Sequence, residues 1–176
     1  MTEATAVEQS AGEHAFNAAD FRSTLGSFAT GITVITTRGE DHLFGMTANA
    51  FSSLSLDPPL ILVCVISGTH GEQVIQGNGI FAVNILGVDQ EPISRYFASK
   101  DRPRGLDAFN EIPHTTAATG APILQGAAGF LDCRVHASHE AGDHVIFIGE
   151  VLALGFDPEV QPILFHAGRY RFAVDA

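Results

Sequence analysis

Apolar and polar residues follow one another along this chain in short runs, most of them of strand length. Near the start, Asn17 is placed to cap a helix in which Phe21, Leu25 and Phe28 recur at helical spacing, closed by Gly31. That apolar face is expected to be core or subunit contact. Residues 32–37 read as a strand, 38–41 as a turn, and 43–47 as the returning strand of a hairpin. Residues 45–59 run from the end of that strand to the pair Pro58 and Pro59, and hold the small polar residues Thr47, Asn49, Ser52, Ser53 and Ser55. They fit a polar turn between strands. They fit equally a cradle for a planar, anionic ligand, because small donors and free N–H groups close around it without bulk.

The run LILVCVI at 60–66 is apolar throughout, the pattern of a strand buried on both faces. Thr69 and Glu72 make a capping box for a short helix to about residue 76, stopped at Gly77 and Gly79. Residues 80–85 form the next strand, with Asn84 as a buried structural hydrogen-bonder. Asp89 caps a further helix, with Pro92 in its first turn and Ile93, Tyr96 and Phe97 along it. Residues 100–125 contain Pro103, Gly105, Pro113 and Gly120, which predicts a long surface excursion with a short turn near 106–109. Apolar positions then alternate through 131–137. Gly142 and Asp143 turn the chain into a strand over 144–154, and 163–165 with 170–174 make a last pair. About six to eight strands with short turns predict a mainly β fold, an antiparallel barrel with a few short helices. Residues 1–15 carry acids and few large apolar groups, and are expected to be a flexible tail before a single domain at 16–176.

Composition narrows the function. With a formal charge of −11 and nine Lys and Arg, the chain cannot assemble a broad basic face, which argues against nucleic acid as a partner. Four of the nine cations nonetheless fall within 95–104, as Arg95, Lys100, Arg102 and Arg104, and Arg169 and Arg171 lie near the C-terminus. An acidic protein that gathers its cations can hold them for an anionic ligand. No apolar run is long enough to cross a bilayer and no signal-peptide pattern opens the chain, so no membrane association and a cytoplasmic location are expected. The two cysteines, Cys64 and Cys133, lie in apolar strand runs and are expected to be buried thiols.

Several chemistries lack their signatures: there is no G-x-G-x-x-G after a strand, no P-loop and no G-x-S-x-G elbow. Cys133, His136 and His139 are spaced by threes. On a strand that spacing sends successive residues to opposite faces, so no metal site is expected there. What remains is a set of polar groups at strand ends and turns: 47–53, 67–69, 99–100, 142–144 and 166–170.

Taken in order, these stretches resemble the short-chain flavin reductases, the reductase components of two-component flavin-dependent monooxygenases. The matching segments are LGSFATG at 25–31, GMTANAFSS at 45–53 with DPP at 57–59, FAVNIL at 81–86, and GDH at 142–144 followed by IGEV at 148–151. The resemblance implies an FMN-binding split β-barrel of Greek-key type, a homodimer, and transfer of hydride from NADH or NADPH to FMN or FAD for a partner monooxygenase. It implies that Met46, Thr47, Ala48, Asn49 and Ala50 line the flavin ring and ribityl chain, that Ser52 and Ser53 contact the ribityl–phosphate part, and that Ser67, Gly68 and Thr69 bind phosphate. Ser99 and Lys100 are expected at the phosphate or an adenylate extension, with Asn49 at the N5 and O4 edge. His144 is expected beside the nicotinamide, with His166, Arg169 and Tyr170 closing that side. Members often carry serine where this chain has Ala50. A flavin-retaining oxidase or oxygenase, or a non-catalytic flavin carrier, is the alternative on the same fold. The reaction itself asks little covalent chemistry of the protein, which has only to stack two rings and place donors where charge develops.

Overall fold

The computed structural model describes residues 15–173. All but the last residue of the expected N-terminal tail lies outside the described residues. Helix α1 (Ala18–Gly26) is capped as expected, by Asn17 Oδ1 accepting from the N–H groups of Ala19 and Asp20. It is followed by β1 (Thr30–Gly31), β2 (Thr33–Arg38), β3 (Leu43–Ala48), β4 (Phe51–Leu56) and β5 (Pro59–Ile66). Helix α2 (His70–Asn78), β6 (Ile80–Ile85) and helix α3 (Glu91–Ala98) come next, then the short strands β7 (His114–Thr116) and β8 (Pro122–Leu124). A long hairpin, β9 (Gly129–Ala141) and β10 (His144–Phe156), and a short one, β11 (Ile163–His166) and β12 (Arg169–Phe172), complete the order.

The main sheet has seven strands, all antiparallel, in the order β3-β2-β6-β9-β10-β5-β4. Its two edge strands, β3 and β4, are consecutive in sequence and joined only by Asn49 and Ala50. Edges so far apart in the sheet meet through two residues only if the sheet curls round on itself. They do not pair where they meet, so the barrel stays split along that seam. A separate three-stranded sheet, β1-β11-β12, lies beside it.

The barrel interior is filled from alternate positions of each strand, among them Ile35, Val63, Val65, Phe81, Val83, Cys133 and Phe147. Gly149 is required there, since a Cβ on it would meet the Phe81 ring at 2.5 Å. A second core, with Val34, Leu86, Phe97, Phe109, Leu124 and Ile163, packs the outside of β2 and β6 against α3 and the small sheet. Strand β2 is therefore buried on both faces.

Three expectations change. Residues 51–56 are a strand and not part of a turn, because β5 supplies backbone partners from Phe51 to Leu56. Strand β5 is covered on one face only: Ile61, Val63 and Val65 point inward, while Leu62 and Cys64 are half-buried and Ile66 is exposed. Helix α1 ends at Gly26 and not at Gly31, so Phe28 lies beyond it; its apolar face is not core of this chain, for none of its residues is buried and Phe21, Leu25 and the following Phe28 are 52%, 58% and 76% exposed. The excursion over 100–125 contains the expected turn, as a 3₁₀ segment at Gly105–Phe109, together with β7 and β8. Both cysteines are free, and burial, with the neighbouring Asp132 carboxylate, pushes the Cys133 thiol up to about 12. Among the described residues no helix is long and apolar enough to cross a membrane.

Candidate active site

The split in the barrel opens into a cavity of about 540 Å³. One wall is the free edge of β3 and the turn that follows it. A second is the end of β5 with the first turn of α2. The third is the end of α3 and the loop after it, and His144 stands at the tip of the β9–β10 hairpin. Two glycines bring these walls together. At Gly45 a Cβ would sit 2.5 Å from the Phe97 ring, and at Gly71 one would sit 2.9 Å from Met46 Sδ. The absence of side chains there lets α3 and α2 close onto β3.

Of the residues expected at a flavin site, Met46, Thr47, Ala48, Asn49, Ala50, Thr69, Lys100 and His144 line this cavity. Their polar atoms are not all free. The Thr47 hydroxyl donates to the Ser94 carbonyl at 2.6 Å, and the Asn49 amide reaches Thr30 Oγ1 only at 3.4 Å. Thr69 Oγ1 donates to the Ile66 carbonyl and accepts from the Glu72 N–H, as an N-cap should. The remaining expected residues lie outside the lining. Ser52 and Ser53 are exposed on edge strand β4. The Ser67 N–H donates to the Asp143 carbonyl, tying the start of α2 to the hairpin tip. The Gly68 N–H is taken by the Glu72 carboxylate at 3.2 Å, so that amide already holds an anion from the chain itself. Ser99 Oγ accepts from the Asp101 N–H. His166 and Arg169 pair across the β11–β12 turn and are not among the residues that line the cavity. Tyr170 is half-buried, with its hydroxyl 2.9 Å from Ser94 Oγ and its ring 4.6 Å beneath the Arg95 guanidinium.

The cation cluster divides. Arg95 pairs with Glu91 at 2.6 Å, one helical turn back. Lys100, Arg102 and Arg104 all line the cavity, and none has a carboxylate partner among the described residues. Burial lowers the Arg102 pKa, the nearby Arg104 adding to it.

The flavin reductase like domain model matches residues 25–173. The chain is 42% identical over 157 residues to the NADH-dependent FAD reductase of Streptomyces globisporus, covering 88% of this chain and 86% of that one. The chain belongs to the flavin reductase family. Its fold is also that of solved family members: NADH:FAD oxidoreductase SgcE6 from Streptomyces globisporus superposes with a TM-score of 0.86 at 38% identity, over 92% of this chain and 96% of that one. The flavin reductase PheA2 does so with a TM-score of 0.83 at 37% identity, over 91% and 100%. A reductase subunit of a flavin-dependent monooxygenase, HsaB of Mycobacterium tuberculosis, is 40% identical over 85% of this chain and 79% of its own.

Within this flavin reductase, sequence reasoning passed over Phe44, His70, Phe97, Arg102 and Arg104 as site residues. Arg102 and Arg104 carried a signal in their clustering. His70 did not, and its ring stands edge-on to Phe44 at 5.4 Å. The hairpin tip is electrostatically organised as well. Asp143 Oδ1 accepts from His144 Nδ1 at 2.7 Å, leaving Nε2 clear of the carboxylate. The hydrogen bond to His144, with the charge of a protonated ring, holds the Asp143 carboxyl below its ordinary 3.8. A depressed carboxylate pKa means that the pair is intact above the ordinary value and is lost as pH falls through the lowered one. Titration followed by carboxyl NMR is expected to place the Asp143 midpoint below 3.8, and His144→Ala to return it toward that value. A midpoint unchanged by the substitution would show that the ring does not hold the carboxylate.

Proposed function

We propose that the chain is an NADH-dependent flavin reductase that takes hydride from the nicotinamide to FMN or FAD and supplies reduced flavin to a separate monooxygenase. The observation that carries the reading is one cavity with a free strand edge at one side and three unpaired cations at another. A flat ring fits against an open strand edge, and an anionic tail fits the cations. Gly45 turns its carbonyl away from β2, toward Arg102. By the alternation of an antiparallel strand, the Thr47 backbone N–H faces the same way. Thr47 therefore serves a ligand through its main chain, its hydroxyl being committed to Ser94. When bound, the flavin supplies the hydride-accepting centre. The residues of the chain bind and orient. Asn49 offers an amide where the ring gains charge, and the Asp143-held His144 bounds the nicotinamide side. Ala50 and Met46 exclude water, and Lys100 meets the phosphate. Reductants act in the cytoplasm in this reading, with NADPH less suited to an acidic protein.

The same proposal includes a homodimer. Leu62, Cys64 and Ile66 of β5 lie beside Ile146 and Ile148 of β10 on a face that this chain leaves open. Leu152, Leu154 and Phe156 continue β10 at 44%, 64% and 78% exposure. A second copy covers such a row more readily than water does.

The test is NADH oxidation by the purified protein with FMN or FAD in excess, for the wild type and for His144→Ala. Turnover of added flavin, with the NADH KM of His144→Ala raised more than the flavin KM, is the expected result. No turnover with either flavin and either nicotinamide would end the proposal. Flavin retained through dialysis with poor turnover of added flavin would favour a flavin-retaining enzyme, and binding without reduction a carrier.

A further inference from the structure

Arg102 is held in an unusual way for a cation. Its guanidinium donates to two backbone carbonyls, that of Ser99 at the end of α3 and that of Gly45 in β3. The rings of Phe97 and Phe44 lie 5.8 and 5.9 Å from its central carbon. None of these partners is charged, and no carboxylate among the described residues pairs with it. Placing a half-buried cation among neutral partners carries a desolvation cost that a contact needed for packing alone could avoid with an apolar side chain. The arrangement does two things that an apolar side chain could not. It ties the loop after α3 to the open edge of β3, and it leaves the charge uncancelled beside Lys100 and Arg104.

Resting on the flavin reductase reading of the cavity, we propose that Arg102 is a positioning residue: by bridging Gly45 and Ser99 it sets Lys100 and Arg104 over one end of the cavity as a preformed seat for the phosphate groups of the ligand. The three cations stand at alternate positions on one short loop, so fixing the middle one fixes the flanking two. The seat is spread along three alternate loop positions, and the diphosphate of FAD, carrying about the same two negative charges as the FMN monoester, distributes them over two phosphate groups and so meets more of the cations. Affinity therefore rises from riboflavin to FMN to FAD. The bridge depends on the planar fork of arginine, which reaches two carbonyls at once; the single ammonium of lysine keeps the charge but not that geometry.

The test uses the full-length protein and three flavins that differ in phosphate content. Dissociation constants for riboflavin, FMN and FAD are measured by flavin fluorescence at low and high salt, for the wild type, Arg102→Lys, and the double variant Lys100→Gln with Arg104→Gln. The wild type is expected to bind FAD tightest, and Arg102→Lys to reduce the ratio of FAD to riboflavin affinity by about tenfold, the scale of one lost charge-assisted hydrogen bond. The double variant keeps the bridge and is expected to lose the same preference, with a flatter salt dependence. Equal weakening of all three flavins by Arg102→Lys would make Arg102 a packing residue and overturn the proposal. So would an unchanged preference in the double variant. Failure of the wild type to bind any flavin would instead overturn the reading of the cavity on which the proposal rests.

Discussion

Phe97→Ala is expected to lower folding stability by about 3–5 kcal/mol, the range for removing a fully buried aromatic side chain. Phe97 is 2% exposed and sits where three parts of the molecule meet. Its ring fills the space that Gly45 leaves on β3, lies 5.2 Å from the ring of Phe109 and 5.1 Å from that of Tyr96, and faces the Arg102 guanidinium. Its removal leaves a cavity between β3 and α3 that the backbone cannot close, because both elements are anchored elsewhere in their sheets and helices. Since Phe97 also lines the candidate site, the loss extends to ligand affinity. Urea unfolding with an unchanged slope measures the first effect and flavin titration the second. Phe97→Leu, which restores much of the volume, is expected to recover more than half of the stability. A loss below about 1 kcal/mol for the alanine variant would show that this junction collapses without strain, against the close packing inferred here.

Asn84→Leu is the second large effect, and its origin is polar. Asn84 is fully buried. Its amide donates toward the Val34 carbonyl at 3.1 Å, Thr36 Oγ1 at 3.2 Å and the Pro122 carbonyl at 3.3 Å, and its Oδ1 accepts from the Leu124 N–H at 2.8 Å. It thereby fastens β8 onto the outside of β2 and β6. Leucine fills the volume but leaves the Leu124 N–H without its acceptor in an apolar setting. One or two orphaned groups at about 1–3 kcal/mol each imply a loss of about 3 kcal/mol. The damage should be local before it is global. Hydrogen exchange at Leu124 is expected to accelerate far more than at Val83 in the barrel interior. Uniform acceleration across both would mean that Asn84 supports the whole sheet rather than one strap.

The role of Asn84 was legible because one amide inside an apolar strand has few other uses. The hairpin of β2 and β3, the Gly142 turn, the Thr69 cap and the mainly β class were legible for a similar reason: each depends on residues within a few positions of one another. Strand β4 was not. Ser52, Ser53 and Ser55 look like turn residues, and only the backbone of β5 makes them a strand. Tyr170 and Ser67 carry donors that suit a ligand equally well, yet each is bonded within the protein, Tyr170 to Ser94 and Ser67 to Asp143. Nothing near either residue in sequence discloses those partners. Arg102 and Arg104 were visible as a cluster and unassigned, since their purpose depends on β3, more than fifty residues earlier.

By itself the order of residues settled most of the strands, the caps of α1 and α2 but not that of α3, where Gln90 stands at the N-cap in place of the expected Asp89, the three hairpins β2–β3, β9–β10 and β11–β12, and the family to which the motifs belong. These follow from side-chain periodicity and from hydrogen bonds that close over short stretches of chain. Only the folded chain decided that the barrel is split at 49–50, that the cavity opens along that seam, and which polar atoms remain free to meet a ligand. Those outcomes depend on contacts between distant segments, and a donor's availability is known only once every competing acceptor has been placed in space.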